Sequence, residues 1–129
     1  AVCVSRTNLC DYCINHHQTG LARIVNDKEL AIKLSKASVS EADSHLLTER
    51  ERAFCDYAMK LTIAPGQMEK NDLEELRKVG LSDAGILDLN QVVSYFAYAN
   101  RIVNGLGIEI AGEILGLHPS ADEEGFSHS

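Results

Sequence analysis

The segment from Ser82 to Asn104 constrains this chain more than any other, because it has helical spacing and is apolar on nearly every side. Ile86, Leu89, Val93, Phe96 and Ile102 recur along it, and Leu87, Val92, Tyr95, Ala97, Tyr98, Ala99 and Val103 fill the flanks. A helix that is apolar all round is normally surrounded by other elements. In a chain of 129 residues, this one is expected at the centre of a small bundle, with part of its surface covered by another subunit. It does not read as a membrane span, since Asp88, Asn90, Gln91, Ser94 and Asn100 interrupt it.

The remaining sequence supplies helices to surround it. One is expected from about Cys10 to Val25, with Cys13, His17, Gly20, Leu21 and Ile24 near one face. Asp27 can cap a second, from Lys28 to about Ala37. Residues 38–44 mix cap and turn types and leave room for a short helix. Thr48-Glu49-Arg50-Glu51 is a capping box, opening a helix that stops near Pro65-Gly66. Asn71-Asp72-Leu73-Glu74 opens another, ended by Gly80, and Ser82 caps the long apolar helix. No segment alternates with period two, so the expected fold class is all-α, a compact helical bundle.

Length fits a single domain, placed at 1–119, followed by a polar tail over 120–129. Ala1 to Ser5 resemble the last turns of an apolar helix, so further helices are expected upstream of Ala1. The net charge is −7 and no Lys/Arg cluster occurs, which argues against nucleic-acid partners. Neither a membrane-spanning stretch nor a signal peptide is visible. Four cysteines in an acidic helical chain do not make a secreted disulfide scaffold, so the expected compartment is a reducing cytoplasm.

Chemistry concentrates in Asn8-Leu9-Cys10-Asp11-Tyr12-Cys13-Ile14-Asn15-His16-His17. Two cysteines three apart can close a disulfide within one turn, and His17 shares a helical face with Cys13. Asn8 can act as N-cap with Asp11 completing a box-like pattern, which would put Cys10 in the first turn. There the free amides and helix dipole favour a thiolate. A dithiol beside a titratable imidazole is suited to thiol redox chemistry. His16 lies roughly 100° round the helix and reads as a polar flank or a partner of the site residues.

A structural zinc site is the competing reading, but it normally needs four protein ligands. The second pair would have to come from Cys3 with His16 or His17, or from the scattered His45, Cys55 and His118. Cys3 and Cys55 are more simply core packing. Asn100, Arg101 and Asn104 read first as C-terminal helix capping, ahead of a role in a pocket.

The stretch Val4 to His17, taken with Leu47-Thr48-Glu49-Arg50-Glu51, Tyr57-Ala58-Met59-Lys60-Leu61-Thr62, Tyr95-Phe96 and Asn100 to Gly107, resembles the AhpD-like alkylhydroperoxidases. These belong to the wider carboxymuconolactone decarboxylase fold family, and the likeness is to its peroxidase-related subgroup. The resemblance extends over about Ala1 to Glu109. It implies an all-helical fold that assembles into dimers, trimers or hexamers, and thiol-dependent peroxide reduction with no haem, metal or other cofactor. The decarboxylase branch lacks the cysteine pair, so the resemblance argues against lactone decarboxylation.

The family motif is Glu, eleven residues, then Cys-x-x-Cys-x-x-x-His. Its last three positions fall on Cys10, Cys13 and His17, while the position of its Glu falls upstream of Ala1. The resemblance implies that Cys10 and Cys13 cycle between dithiol and disulfide, assisted by His17. Organic hydroperoxides or hydrogen peroxide would be the substrate and an external dithiol or thiol protein the reductant. Cys13 is favoured as the attacking thiol because His17 lies one turn from it, with Cys10 resolving and more exposed; the opposite assignment stays open, since Cys10 has the better position in the helix dipole. The alternative is a non-catalytic helical oligomer that senses redox state or binds metal through Cys and His.

Overall fold

Side-chain caps place most of the helix boundaries. The computed structural model describes residues 1–116 and carries, in order, α1 (Val2–Thr7), α2 (Asp11–Val25), α3 (Lys28–Ala37), α4 (Glu49–Ile63), α5 (Lys70–Lys78) and α6 (Asp83–Gly105). Short 3-10 turns at Ser44–Leu46 and Pro65–Gln67 flank α4, and no strand occurs among the described residues. The tail expected over 120–129, with His118 and Pro119, lies outside them. The fold class is therefore all-α, with the Cys-x-x-Cys at a helix N-terminus.

Asp27 accepts the Leu30 N–H at the head of α3, Thr48 and Glu51 form the reciprocal capping box of α4, and Ser82 accepts the Gly85 N–H at the head of α6. The α5 boundary is a correction. Its capping box joins Glu69 and Asp72, so the helix starts before Asn71, and Asp72 also takes the Lys60 ammonium of α4 at 2.7 Å. Gly80 follows α5 with φ +86°, a left-handed conformation that ends the helix as expected.

The short α1 is the pivot of the packing, touching α2, α4 and α6, while α4 also packs on α5 and α6 and α2 packs on α3. Along α6 the buried residues are Ile86, Val93 and Asn100, seven apart on one stripe. Val93 closes on Cys3, Val4 and Ala58, and Ile86 on Tyr57, Leu76 and Leu81. Burying each of the larger apolar side chains fully is worth about 1.5–3 kcal/mol.

Within the single chain, α6 is covered on one side only. Its flank of Leu87, Val92, Tyr95 and Tyr98 is exposed in the single chain, with Tyr98 at 62%. The other helices cover only the inward stripe, which leaves a row of apolar side chains facing outward. No helix among the described residues is long and apolar enough to cross a membrane.

Candidate active site: a buried cysteine pair at a helix N-terminus

Three residues turn the chain from α1 into α2. Leu9 takes φ +53°, unusual for a residue with a side chain, and donates its N–H to the Arg6 carbonyl at 3.1 Å. The Cys10 N–H donates to the Ser5 carbonyl at 2.9 Å, folding the link back on α1. Cys10 itself then becomes the N-cap of α2, with extended backbone angles.

The link is held from α6. Asn100 is fully buried; its Nδ2 donates to Ser5 Oγ at 3.1 Å and its Oδ1 accepts from Asn8 Nδ2 at 3.2 Å. Asn104 Nδ2 donates to the Asn8 carbonyl at 3.1 Å. This corrects two expectations. Asn8 is not the cap of α2, because its amide is engaged by Asn100. Asn100 and Asn104 hold the turn that leads to Cys10, and Asn100 lies in the interior well before the end of α6. A polar residue in register with Ile86 and Val93 was the signal available in the sequence.

Cys10 and Cys13 are paired at disulfide distance, their Cα atoms 5.3 Å apart. Both sulfurs lie at the N-terminus of α2, where unpaired amides and the dipole favour negative charge. Cys10 is fully buried and Cys13 is 6% exposed, the reverse of the expected order. Cys10 is folded back on α1 by its N–H bond to the Ser5 carbonyl, while Cys13 lies one turn on along α2.

His17 lies four residues beyond Cys13 on α2, half-buried, with its ring edge-on to Phe96 of α6 at 4.6 Å between centroids. Burial lowers its pKa from 6.5 to about 4, helped by the positive chain N-terminus and by His16. The imidazole beside the closed cysteine pair is thus neutral at pH 7.

His16 faces elsewhere, against the Tyr12 ring at 4.5 Å between centroids. Its Nδ1 accepts the Gly116 N–H at 3.4 Å. Its buried Nε2 has no hydrogen-bond partner and lies 3.6 Å from Glu113 Oε1, within ion-pair distance when the ring is protonated. Glu113 is held below the usual carboxylate range by its own N–H and that of Ala111, with smaller help from His16 and Tyr12. Arg23 donates to the Leu115 and Gly116 carbonyls at 2.8 and 2.6 Å.

Gly116 has φ +66°, and a Cβ there would come within 2.5 Å of the Gly20 nitrogen, so the backbone after α6 docks directly onto α2. Gly20 in the middle of a helix is the only trace of this strap in the sequence. On the far side of the turn, Arg6 ties α1 to Ser35 and Gln18 at 2.6 and 3.0 Å. Among the described residues, no three His, Cys, Asp or Glu side chains converge where a metal ion could sit.

No family model matches the chain, and no curated protein matches it. Among solved structures, it is similar to an uncharacterized peroxidase-related protein from Silicibacter sp. TM1040, with a TM-score of 0.76 and 30% identity. The match covers 86% of this chain and 56% of that one, so the chain spans a little over half the length of its structural relative. The helical fold of a peroxidase-related protein is the class that this likeness defines.

Proposed function

We propose that this chain is an AhpD-like thiol peroxidase, reducing organic hydroperoxides or hydrogen peroxide through Cys10, Cys13 and His17. The observation that carries the reading is a cysteine pair at a helix N-terminus followed by a neutral imidazole one turn beyond Cys13. His17 takes the proton of the Cys13 thiol, and the thiolate attacks the terminal oxygen of the hydroperoxide. The O–O bond breaks, and the leaving alkoxide or hydroxide regains the proton from the imidazolium. Cys13 becomes a sulfenic acid; the Cys10 thiol attacks its sulfur, and water departs as the disulfide forms. An external dithiol then reduces the pair by exchange. Cys13 is the better attacking thiol because it is the more exposed of the two and lies on the His17 face.

The exposed flank of α6 supports a homo-oligomer, since Leu87, Val92, Tyr95 and Tyr98 are large apolar side chains that the chain's own helices leave exposed. Peroxide turnover with dithiothreitol as reductant tests the catalytic reading. Many equivalents of peroxide should be consumed per chain, with loss of turnover in Cys13→Ser. Consumption that stops once the chain's own thiols are oxidised would refute catalysis and favour the alternative, a non-catalytic redox sensor. The near-complete burial of both sulfurs is the observation on that alternative's side.

A further inference from the structure

Cys3 and Cys55 are two further thiols that the proposed cycle does not use, and they meet in the core between α1 and α4. Neither is bonded to another sulfur. Cys3 Sγ donates to the Ser38 carbonyl at 3.3 Å and lies 3.7 Å from the Cys55 carbonyl. The thiol of Cys3 thus lies against the Cys55 backbone, and the proximity of the two groups lowers the Cys3 pKa and raises that of Cys55. Cys3 is 6% exposed and Cys55 packs against it in the same cluster as Val4, Ala58 and Val93.

The pair is not sealed off. A cavity of about 320 Å³ lies between α4 and the segment that joins α3 to α4, its wall including Ser38, Ser40, Arg52, Cys55 and Asp56. Ser38, whose carbonyl receives the Cys3 thiol, and Cys55 both border this space. A small polar oxidant can therefore reach Cys55, the neighbour of Cys3, without passing the Cys10–Cys13 site.

We propose that Cys3 and Cys55 are a second dithiol, which hydroperoxide entering this cavity converts into a disulfide that fastens α1 to α4. In the first step a sulfur of the pair attacks the terminal peroxide oxygen, the O–O bond breaks, and alcohol or water leaves with the thiol proton. The other thiol attacks the sulfenic acid, the S–O bond breaks, and water leaves as the S–S bond forms. Two thiols are oxidised and one peroxide is reduced. Because α1 leads directly into Cys10, the link would lock the element that positions the peroxidatic pair.

The test is non-reducing peptide mapping of the whole protein after excess hydrogen peroxide. Cleavage at Arg6, Arg52 and Lys60 separates Cys3 from Cys55, so a link appears as a joined peptide lighter by two hydrogens, while Cys10 and Cys13 remain on one peptide. Titratable thiols should fall from four to none. The new bridge spans 52 residues, so full oxidation should also raise the thermal midpoint by roughly 5 °C or more. In Cys55→Ser the rise should vanish while the Cys10–Cys13 link still forms.

Recovery of Cys3 and Cys55 as free thiols, or as separate sulfinic acids, once Cys10–Cys13 has closed would overturn the proposal, and so would a dominant link from Cys3 to Cys10. The mapping is read on the unaltered protein, so it stands even if a variant fails to fold. A Cys3–Cys55 link in protein that shows no peroxide turnover would remove the proposed enzyme function and leave this inference intact.

Discussion

Replacing Asn100 with Ala should destabilise the protein by roughly 2–4 kcal/mol, a figure assembled from the two bonds its side chain makes. The bond to Asn8 is worth about 1 kcal/mol net, since Asn8 is half-buried and can recover part of it from water. The Ser5 hydroxyl is fully buried and would lose its partner, which costs about 1–3 kcal/mol. Urea unfolding followed by circular dichroism reads this as a drop in midpoint of about 1–2 M, given slopes of about 1–3 kcal/mol/M. Asn100→Leu separates polarity from packing, because Leu has nearly the shape of Asn and leaves no void. If hydrogen bonding to the turn is what matters, Leu should be about as harmful as Ala. If Leu instead restores most of the stability, or if Ala costs under about 0.5 kcal/mol, Asn100 is only filling space and α6 does not hold the turn through it. Slower peroxide turnover in whichever variant folds, with the cysteine pair still able to close, would place the effect on the position of Cys10.

His17→Ala should slow peroxide reduction by about 100-fold or more, with His16→Ala doing less; equal rates for His17→Ala and the unaltered chain would take the imidazole out of the mechanism. Burial holds His17 at about 4, so the unfolded chain binds its proton first. Stability from this residue is complete above about pH 6.5 and falls as pH drops towards 4, at roughly 1 kcal/mol per unit after allowing for partial exposure. The His17→Phe variant should lack that slope, and an unchanged slope would point to another group. Sedimentation should give a multiple of the 14.1 kDa chain mass, and Tyr98→Glu on the outward flank should shift it towards one copy without loss of helix. A well-folded monomer at micromolar concentration would refute the assembly. Gly116→Ala should weaken docking of the strap on α2, seen as faster amide exchange in residues 108–116, because its Cβ collides with Gly20.

Legibility in the sequence tracks the range of the interactions concerned. Asp27, Thr48 and Ser82 cap helices through bonds to residues three positions on, so their roles can be read from spacing alone. Cys10, Cys13 and His17 are equally local, and the face that Cys13 shares with His17 comes from helical periodicity. Asn8 and Asp11 have the spacing of a cap as well, yet there the local rule lost. The competing partner, Asn100, is 92 residues away and the Asn104 contact to the Asn8 carbonyl spans 96. The Cys3–Cys55 contact, 52 residues apart, and the docking of Gly116 on Gly20 are hidden for the same reason.

Helix α6 shows how a long-range contact can still leave a local trace. Its outer flank keeps apolar residues that the chain's own helices do not cover, while its buried stripe of Ile86 and Val93 ends in an amide. An Asn in register with a buried apolar stripe requires a polar partner, because an unpaired buried amide costs about 1–3 kcal/mol. Ser5 in α1 and Asn8 in the turn that follows it supply those partners to Asn100. The element that most constrains the fold is therefore also the one that sets the geometry of the cysteine pair. Substitutions on its inward stripe should couple stability to turnover, whereas those on its outward flank should act on assembly alone.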